Sequence, residues 1–214
     1  MRELVISRIL EKKVIAIVRG IYGEDCLNLA KALHKGGVDL LEATFDQKSA
    51  EERERTCETV RLMNEKLGKE MLFGAGTVTT VEMVRLAKDA GATFIVSPDT
   101  NEEVIRETVK LDMVSIPGAL TPTEISSAHR YGADFVKVFP ASNMGPSYFK
   151  AISAPLSNVR LLAVGGVNEE SVKDYFAAGA VGAGVAGCLF KKDWVKNGEW
   201  DRITEATSKF TSIL

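Results

Sequence analysis

Short β-branched runs alternate with longer helically patterned segments along the whole 214-residue chain, and this limits the fold more than any other feature. Eight runs stand out: Val14–Val18, Leu40–Phe45, Met71–Ala75, Phe94–Ser97, Met113–Ile116, Phe135–Phe139, Val159–Val164 and Ala183–Ala186. Strands separated by helices imply a parallel sheet covered on both faces, so the class is α/β. Eight such units fit a closed (β/α)8, or TIM, barrel; the alternative, a doubly wound sheet, usually has fewer strands at this length. No Pro/Gly/Ser-rich linker or composition shift divides the chain, so residues 1–214 read as one barrel domain. A recurring phrase supports the repeat: Gly37-Val38-Asp39-Leu40, Gly91-Ala92-Thr93-Phe94, Gly132-Ala133-Asp134-Phe135 and Gly179-Ala180-Val181-Gly182. In each copy a glycine supplies a left-handed cap after a helix, and small apolar residues then enter the sheet.

Against this background Lys137 is anomalous. It stands in Asp134-Phe135-Val136-Lys137-Val138-Phe139-Pro140, a segment apolar on both faces. Alternation puts Phe135, Lys137 and Phe139 on one face and Val136 and Val138 on the other. A buried, unpaired ammonium costs several kcal/mol or loses its proton, and a neutral amine is a nucleophile. On this strand alone, an edge position with the lysine in water explains the pattern equally well. As the sixth of eight strands in a closed barrel, however, the segment has no free edge.

In a barrel the chemistry belongs at the C-terminal strand ends, and the polar residues of otherwise apolar strands collect there. Arg19 closes the first strand, Glu42 and Thr44 lie in the second, and the third ends in Gly74-Ala75-Gly76-Thr77. Ser97-Pro98 and Pro117-Gly118 end the fourth and fifth. Leu40, Glu42 and Thr44 share a face, so Glu42 is expected to point where Lys137 points. The two would form either a structural salt bridge or the amine and acid/base of imine chemistry. Gly165-Gly166, with helical patterning from Glu169, and Gly187 in the eighth-strand loop would let backbone N–H groups approach an anion.

Composition narrows the partners. At 45% hydrophobic, with a formal net charge of -2, the chain offers no electrostatic case for nucleic acid or an anionic membrane surface. No apolar run approaches a membrane span, and the N-terminus lacks a sustained apolar core and cleavage site, so a cytoplasmic protein is expected. Cys26, Cys57 and Cys188 are odd in number and widely spaced, as reduced thiols would be. His34 and His129 fall in helical patterning outside any metal-binding spacing, so they read as helix-surface residues and no metal is expected.

Taken together, several segments resemble the bacterial 2-keto-3-deoxy-6-phosphogluconate (KDPG) / 4-hydroxy-2-oxoglutarate (KHG) aldolases of class I. The resemblance spans nearly the whole chain and rests on Ala16-Ile17-Val18-Arg19, Leu41-Glu42-Ala43-Thr44-Phe45, Gly74-Ala75-Gly76-Thr77-Val78, Phe94-Ile95-Val96-Ser97-Pro98, Ile116-Pro117-Gly118, Val136-Lys137-Val138-Phe139-Pro140-Ala141 and Val164-Gly165-Gly166-Val167-Asn168. It implies a barrel lyase, commonly a homotrimer, that cleaves a 2-keto-3-deoxy-4-hydroxy acid to pyruvate and an aldehyde without metal or cofactor. Lys137 would form the Schiff base and Glu42 would be the general acid/base. Thr77, with Gly76 and Pro98, would hold the pyruvyl carboxylate, Arg19 would contact the anionic substrate, and Phe139 would pack against it. Gly165, Gly166 and Gly187 would hold a distal phosphate or carboxylate.

Three departures bear on specificity. Many relatives have threonine where this chain has Val164 and serine where it has Gly187, which removes two hydroxyl donors. Asp46 stands where relatives often carry arginine or an uncharged residue, and a carboxylate there would repel an anion. Two alternative functions remain from the sequence: a phosphate-binding isomerase or epimerase with Lys137 as an electrostatic clamp, and a sugar-acid-binding barrel without turnover.

Overall fold

A computed structural model describes residues 1–214. Helix α1 (Arg2–Lys12) precedes β1 (Val14–Val18), α2 (Gly23–Lys35), β2 (Leu40–Thr44), α3 (Ala50–Leu67), β3 (Leu72–Gly76) and α4 (Val81–Asp89). Then follow β4 (Phe94–Val96), α5 (Glu102–Lys110), β5 (Val114–Ile116), β6 (Gly118–Ala119), α6 (Pro122–Tyr131) and β7 (Val136–Val138). The chain ends with α7 (Ala141–Ser153), β8 (Leu161–Val164), α8 (Val172–Ala177), β9 (Ala180–Val185), α9 (Lys192–Lys196) and α10 (Trp200–Thr211). All neighbouring strands pair in parallel, in the order β5-β4-β3-β2-β1-β9-β8-β7-β6.

The expected fifth strand is two pieces, because Pro117 has no N–H to give the ladder. Val114–Ile116 pairs with β4 on one side, and Gly118–Ala119 pairs with β7 on the other. The Lys137 N–H donates to the Pro117 carbonyl at 2.9 Å and the Phe139 N–H to Ala119 at 3.1 Å, so the circle closes across the break. This excludes a doubly wound sheet and removes the free edge at Lys137. The last strand is longer than expected, beginning at Ala180, because Gly182 and Gly184 are strand residues opposite Leu162 and Val164. A Cβ on either glycine would lie 3.0 Å from those side chains, so the small residues make room for the large ones inside the barrel.

The core has two layers. Inside the barrel Ile15, Leu40, Leu72, Phe94, Ile116, Phe135 and Leu162 pack together, while Ala16, Leu41, Ala43, Val136 and Val138 face the surrounding helices. Helix α1 closes the N-terminal end of the barrel by adding Val5, Ile6 and Ile9 to the inner layer. It is fastened there by two nearly buried carboxylates. Arg2 pairs with Asp134 at 2.8 Å, and Arg8 and Lys12 pair with Asp39 at 3.0 and 3.1 Å. Both aspartates belong to the recurring joint phrase, whose glycines at 37, 91, 132 and 179 all have φ between 90° and 106°. His34 and His129 lie on α2 and α6, contacting Asp39 and Asn158. No helix is long and apolar enough to cross a membrane.

Candidate active site

Lys137 and Glu42 reach the same space from opposite parts of the barrel wall. On β7, Lys137 stands one inward step above Phe135 and is paired on both sides, with Gly118 and Leu162. On β2, Glu42 stands one inward step above Leu40, between Ile17 of β1 and Gly74 of β3. Relative exposures of 8% for Lys137 and 3% for Glu42 decide against water as their main partner. Gly76 lies behind the carboxylate, where a Cβ would come within 2.7 Å of Glu42 Oε1, so the glycine is what lets Glu42 adopt this position.

The two groups do not form the salt bridge that the sequence left open, because no Lys137–Glu42 N···O separation is 4.0 Å or less. Burial pushes the Lys137 ammonium below the usual lysine range; Glu42 opposes this shift and Arg19 adds to it. Burial also pushes the Glu42 carboxyl upward, against the pull of Lys137 and Arg19. Both shifts run toward the uncharged forms, so the amine gives up its proton more easily, and the carboxyl keeps its own to higher pH, than either would in water. Lys137 Nζ lies 4.6 Å from the centre of the half-exposed Phe139 ring, whose face interacts with the amine when it is charged.

These groups line a cavity of about 450 Å³ at the C-terminal ends of the strands. Arg19 closes one side, its Nη2 donating to Thr77 Oγ1 at 2.8 Å. Thr77 has φ 58°, a left-handed conformation that is strained for a β-branched residue. Gln47 holds the segment: its Nε2 donates to the Thr77 carbonyl at 2.7 Å, and its Oε1 accepts from Thr79 Oγ1 at 2.9 Å. Sequence reasoning passed over Gln47, whose only signal was a polar residue following the second strand. Nearby, Thr44 Oγ1 is buried without a hydrogen-bond partner.

The far wall is backbone-rich. Gly165 and Gly166 have φ 93° and 75°; a Cβ at Gly165 would crowd the Phe139 ring at 3.1 Å, and one at Gly166 would collide with Ser142 Oγ at 2.4 Å. At Gly187 a Cβ would meet nothing within 4 Å, so the loop is open rather than tightly packed. Helix α8 starts at Val172, later than the expected Glu169. The cause is Asn168, whose Oδ1 accepts from the N–H groups of Glu170 and Ser171 and removes those donors from anion binding. Asp46 departs from the expectation as well. It turns back onto its own loop, accepting from the Lys48 and Ser49 N–H groups at 2.7 and 2.8 Å. Those bonds hold its carboxyl below the usual range, and the side chain does not line the cavity.

The KDPG and KHG aldolase family model matches residues 5–206. The chain belongs to the KDPG and KHG aldolase family. The 2-dehydro-3-deoxy-6-phosphogalactonate aldolase of Escherichia coli K12 is 35% identical over 83% of this chain and 84% of its own. The probable enzyme of the same description from Rhizobium meliloti is 37% identical, over 85% and 84%. A Legionella pneumophila KDPG aldolase, solved with pyruvate captured as a covalent carbinolamine, superposes with a TM-score of 0.84 at 28% identity, covering 95% of this chain and 96% of that one.

Within this aldolase, nine of the ten residues predicted from the sequence share the cavity wall: Arg19, Glu42, Thr77, Pro98, Lys137, Phe139, Gly165, Gly166 and Gly187. Gly76, the tenth, stands behind Glu42. Val164 lines the wall where a hydroxyl was expected to be missing, and Ile17, Val167, Asn168 and Cys188 line it too, although the sequence reading gave their side chains no role. Burial raises the Cys188 thiol to about 11, which leaves it a poor nucleophile.

Proposed function

We propose that this aldolase uses Lys137 and Glu42 to cleave a 2-keto-3-deoxy-4-hydroxy acid to pyruvate and an aldehyde. The observation that carries the reading is a buried lysine, free of any ion pair, sharing a cavity with a buried carboxyl. The neutral amine attacks C2 of the keto acid, giving a carbinolamine. Glu42 donates the proton with which the hydroxyl leaves as water, and the iminium remains. The Glu42 carboxylate then takes the C4 hydroxyl proton. The C3–C4 bond breaks, its electron pair passes into the enamine, and the aldehyde departs. Return of that proton to C3 restores the iminium, and water releases pyruvate and free Lys137.

The same reading assigns the binding groups. Arg19 and Thr77, hydrogen-bonded to each other, flank the carboxylate of the pyruvyl unit, with Gly76 and Pro98 shaping that side. Phe139 covers the three-carbon portion, while Gly165, Gly166 and Gly187 face the far end of the substrate. With valine at 164 and glycine at 187, preference for a 6-phosphate is expected to be weaker than in hydroxyl-bearing relatives, each lost donor costing about 0.5–3 kcal/mol.

The test is pyruvate release from KDPG, its galacto epimer and 4-hydroxy-2-oxoglutarate. Release from at least one, abolished by Lys137→Ala, is the expected result. Saturable binding of all three without release would replace the proposal with the non-catalytic barrel. By family resemblance we further propose a homotrimer, measurable by sedimentation equilibrium. A cytoplasmic setting is proposed from the three unpaired thiols.

A further inference from the structure

We propose that Lys192 forms a cationic subsite for the terminal anion of the substrate, placed beyond the glycine loops and reached past Gly187. The proposal deepens the aldolase reading and rests on it for the identity of the ligand. A second cavity of about 450 Å³ adjoins the first and shares Ile17, Arg19, Ala186 and Gly187 with it. Its remaining lining is Phe190, Lys191 and Lys192, so three cations face it and no carboxylate does.

The lysines are free to serve. Neither Lys191 nor Lys192 takes part in a salt bridge, whereas Lys35, Arg202 and Lys209 on the neighbouring helices do. Lys192 Nζ lies over the end of the first strand, 3.4 Å from where a Cβ would sit on Gly20, directly after Arg19. The passage between the cavities runs over Gly187, where the lack of a side chain leaves open space.

A lysine is a flexible point charge, unlike a hydroxyl or a bidentate arginine. Such a subsite selects for charge at the far end of the 2-keto acid rather than for tetrahedral geometry. It takes a phosphate or a carboxylate, the more highly charged one more strongly. Because Lys192 is exposed, its contribution is screened by salt.

The experiment compares a 2-keto-3-deoxy-6-phospho acid with its unphosphorylated counterpart, with 4-hydroxy-2-oxoglutarate as the terminal-carboxylate arm. In kcat/KM, Lys192→Gln lowers the phosphorylated-to-unphosphorylated ratio by about tenfold through KM, Lys192→Arg retains it, and Lys196→Gln on the outer face of α9 leaves it unchanged. Raising salt from ~0.01 M to ~0.3 M lowers the wild-type ratio and barely moves that of Lys192→Gln. The same ratio is read in Kd on a Lys137→Ala background, which needs no turnover. A ratio and salt response unaltered by Lys192→Gln overturn the subsite, whatever the turnover. Absence of pyruvate release with the Kd ratio still dependent on Lys192 overturns the aldolase reading and leaves the anion subsite standing.

Discussion

At Lys137 burial and two neighbouring charges set the readiness of the amine to react. Burial and Arg19 lower its proton affinity, and Glu42 raises it. The signs give a paired prediction for the pH at which the imine forms. Glu42→Gln removes the one influence favouring the ammonium, so the midpoint moves to lower pH. Arg19→Gln removes an unfavourable positive charge, so the midpoint moves to higher pH. Imine formation with pyruvate, followed against pH in the three proteins, checks both directions. In Glu42→Gln, kcat for cleavage also falls by about 10²–10⁴, the usual worth of a positioned acid/base group. These two residues were legible in the sequence because a charge inside an apolar strand has few benign explanations. Gln47 and Asp46 were not. Both sit in a polar loop, where only the direction of the side chain separates a brace for Thr77, or a cap on the loop, from a residue facing substrate.

Strands set the reach of those side chains, and glycine is the device that recurs. Gly76 on β3 leaves room for Glu42 on β2, and Gly182 and Gly184 on β9 leave room for Leu162 and Val164 on β8. Gly76→Ala is predicted to displace the Glu42 carboxylate and lower kcat at least ~10-fold, in line with the sensitivity of catalysis to small misplacement, with circular dichroism unchanged. A kcat equal to wild type would show that the glycine is incidental. The alternation of strands and helices was readable from residue pattern, but strand ends were less so. The pattern of β-branched residues hid the glycine-rich start of β9, and the proline break between β5 and β6 depends on which neighbour each half pairs with.

Across the whole molecule, the sealing helix and the proposed site of chemistry occupy opposite ends of the barrel. Helix α1 seals the N-terminal end with Val5, Ile6 and Ile9 and is tied down through Asp39 and Asp134, while the cavity opens at the C-terminal end. Ile9 is fully buried, so Ile9→Ala is expected to lower unfolding free energy in urea by about 2–5 kcal/mol. Imine formation at Lys137 persists below the unfolding transition, and parallel loss of both would contradict this separation. The barrel was legible from its repeat, but the role of α1 was not, since an amphipathic helix carries no mark of the surface it covers. The central claim is that Lys137 is the nucleophile. Borohydride reduction in the presence of pyruvate, followed by peptide mass mapping, tests it directly. A three-carbon adduct on Lys137 is the predicted result; an unmodified Lys137, with the adduct absent or on another lysine, would contradict it.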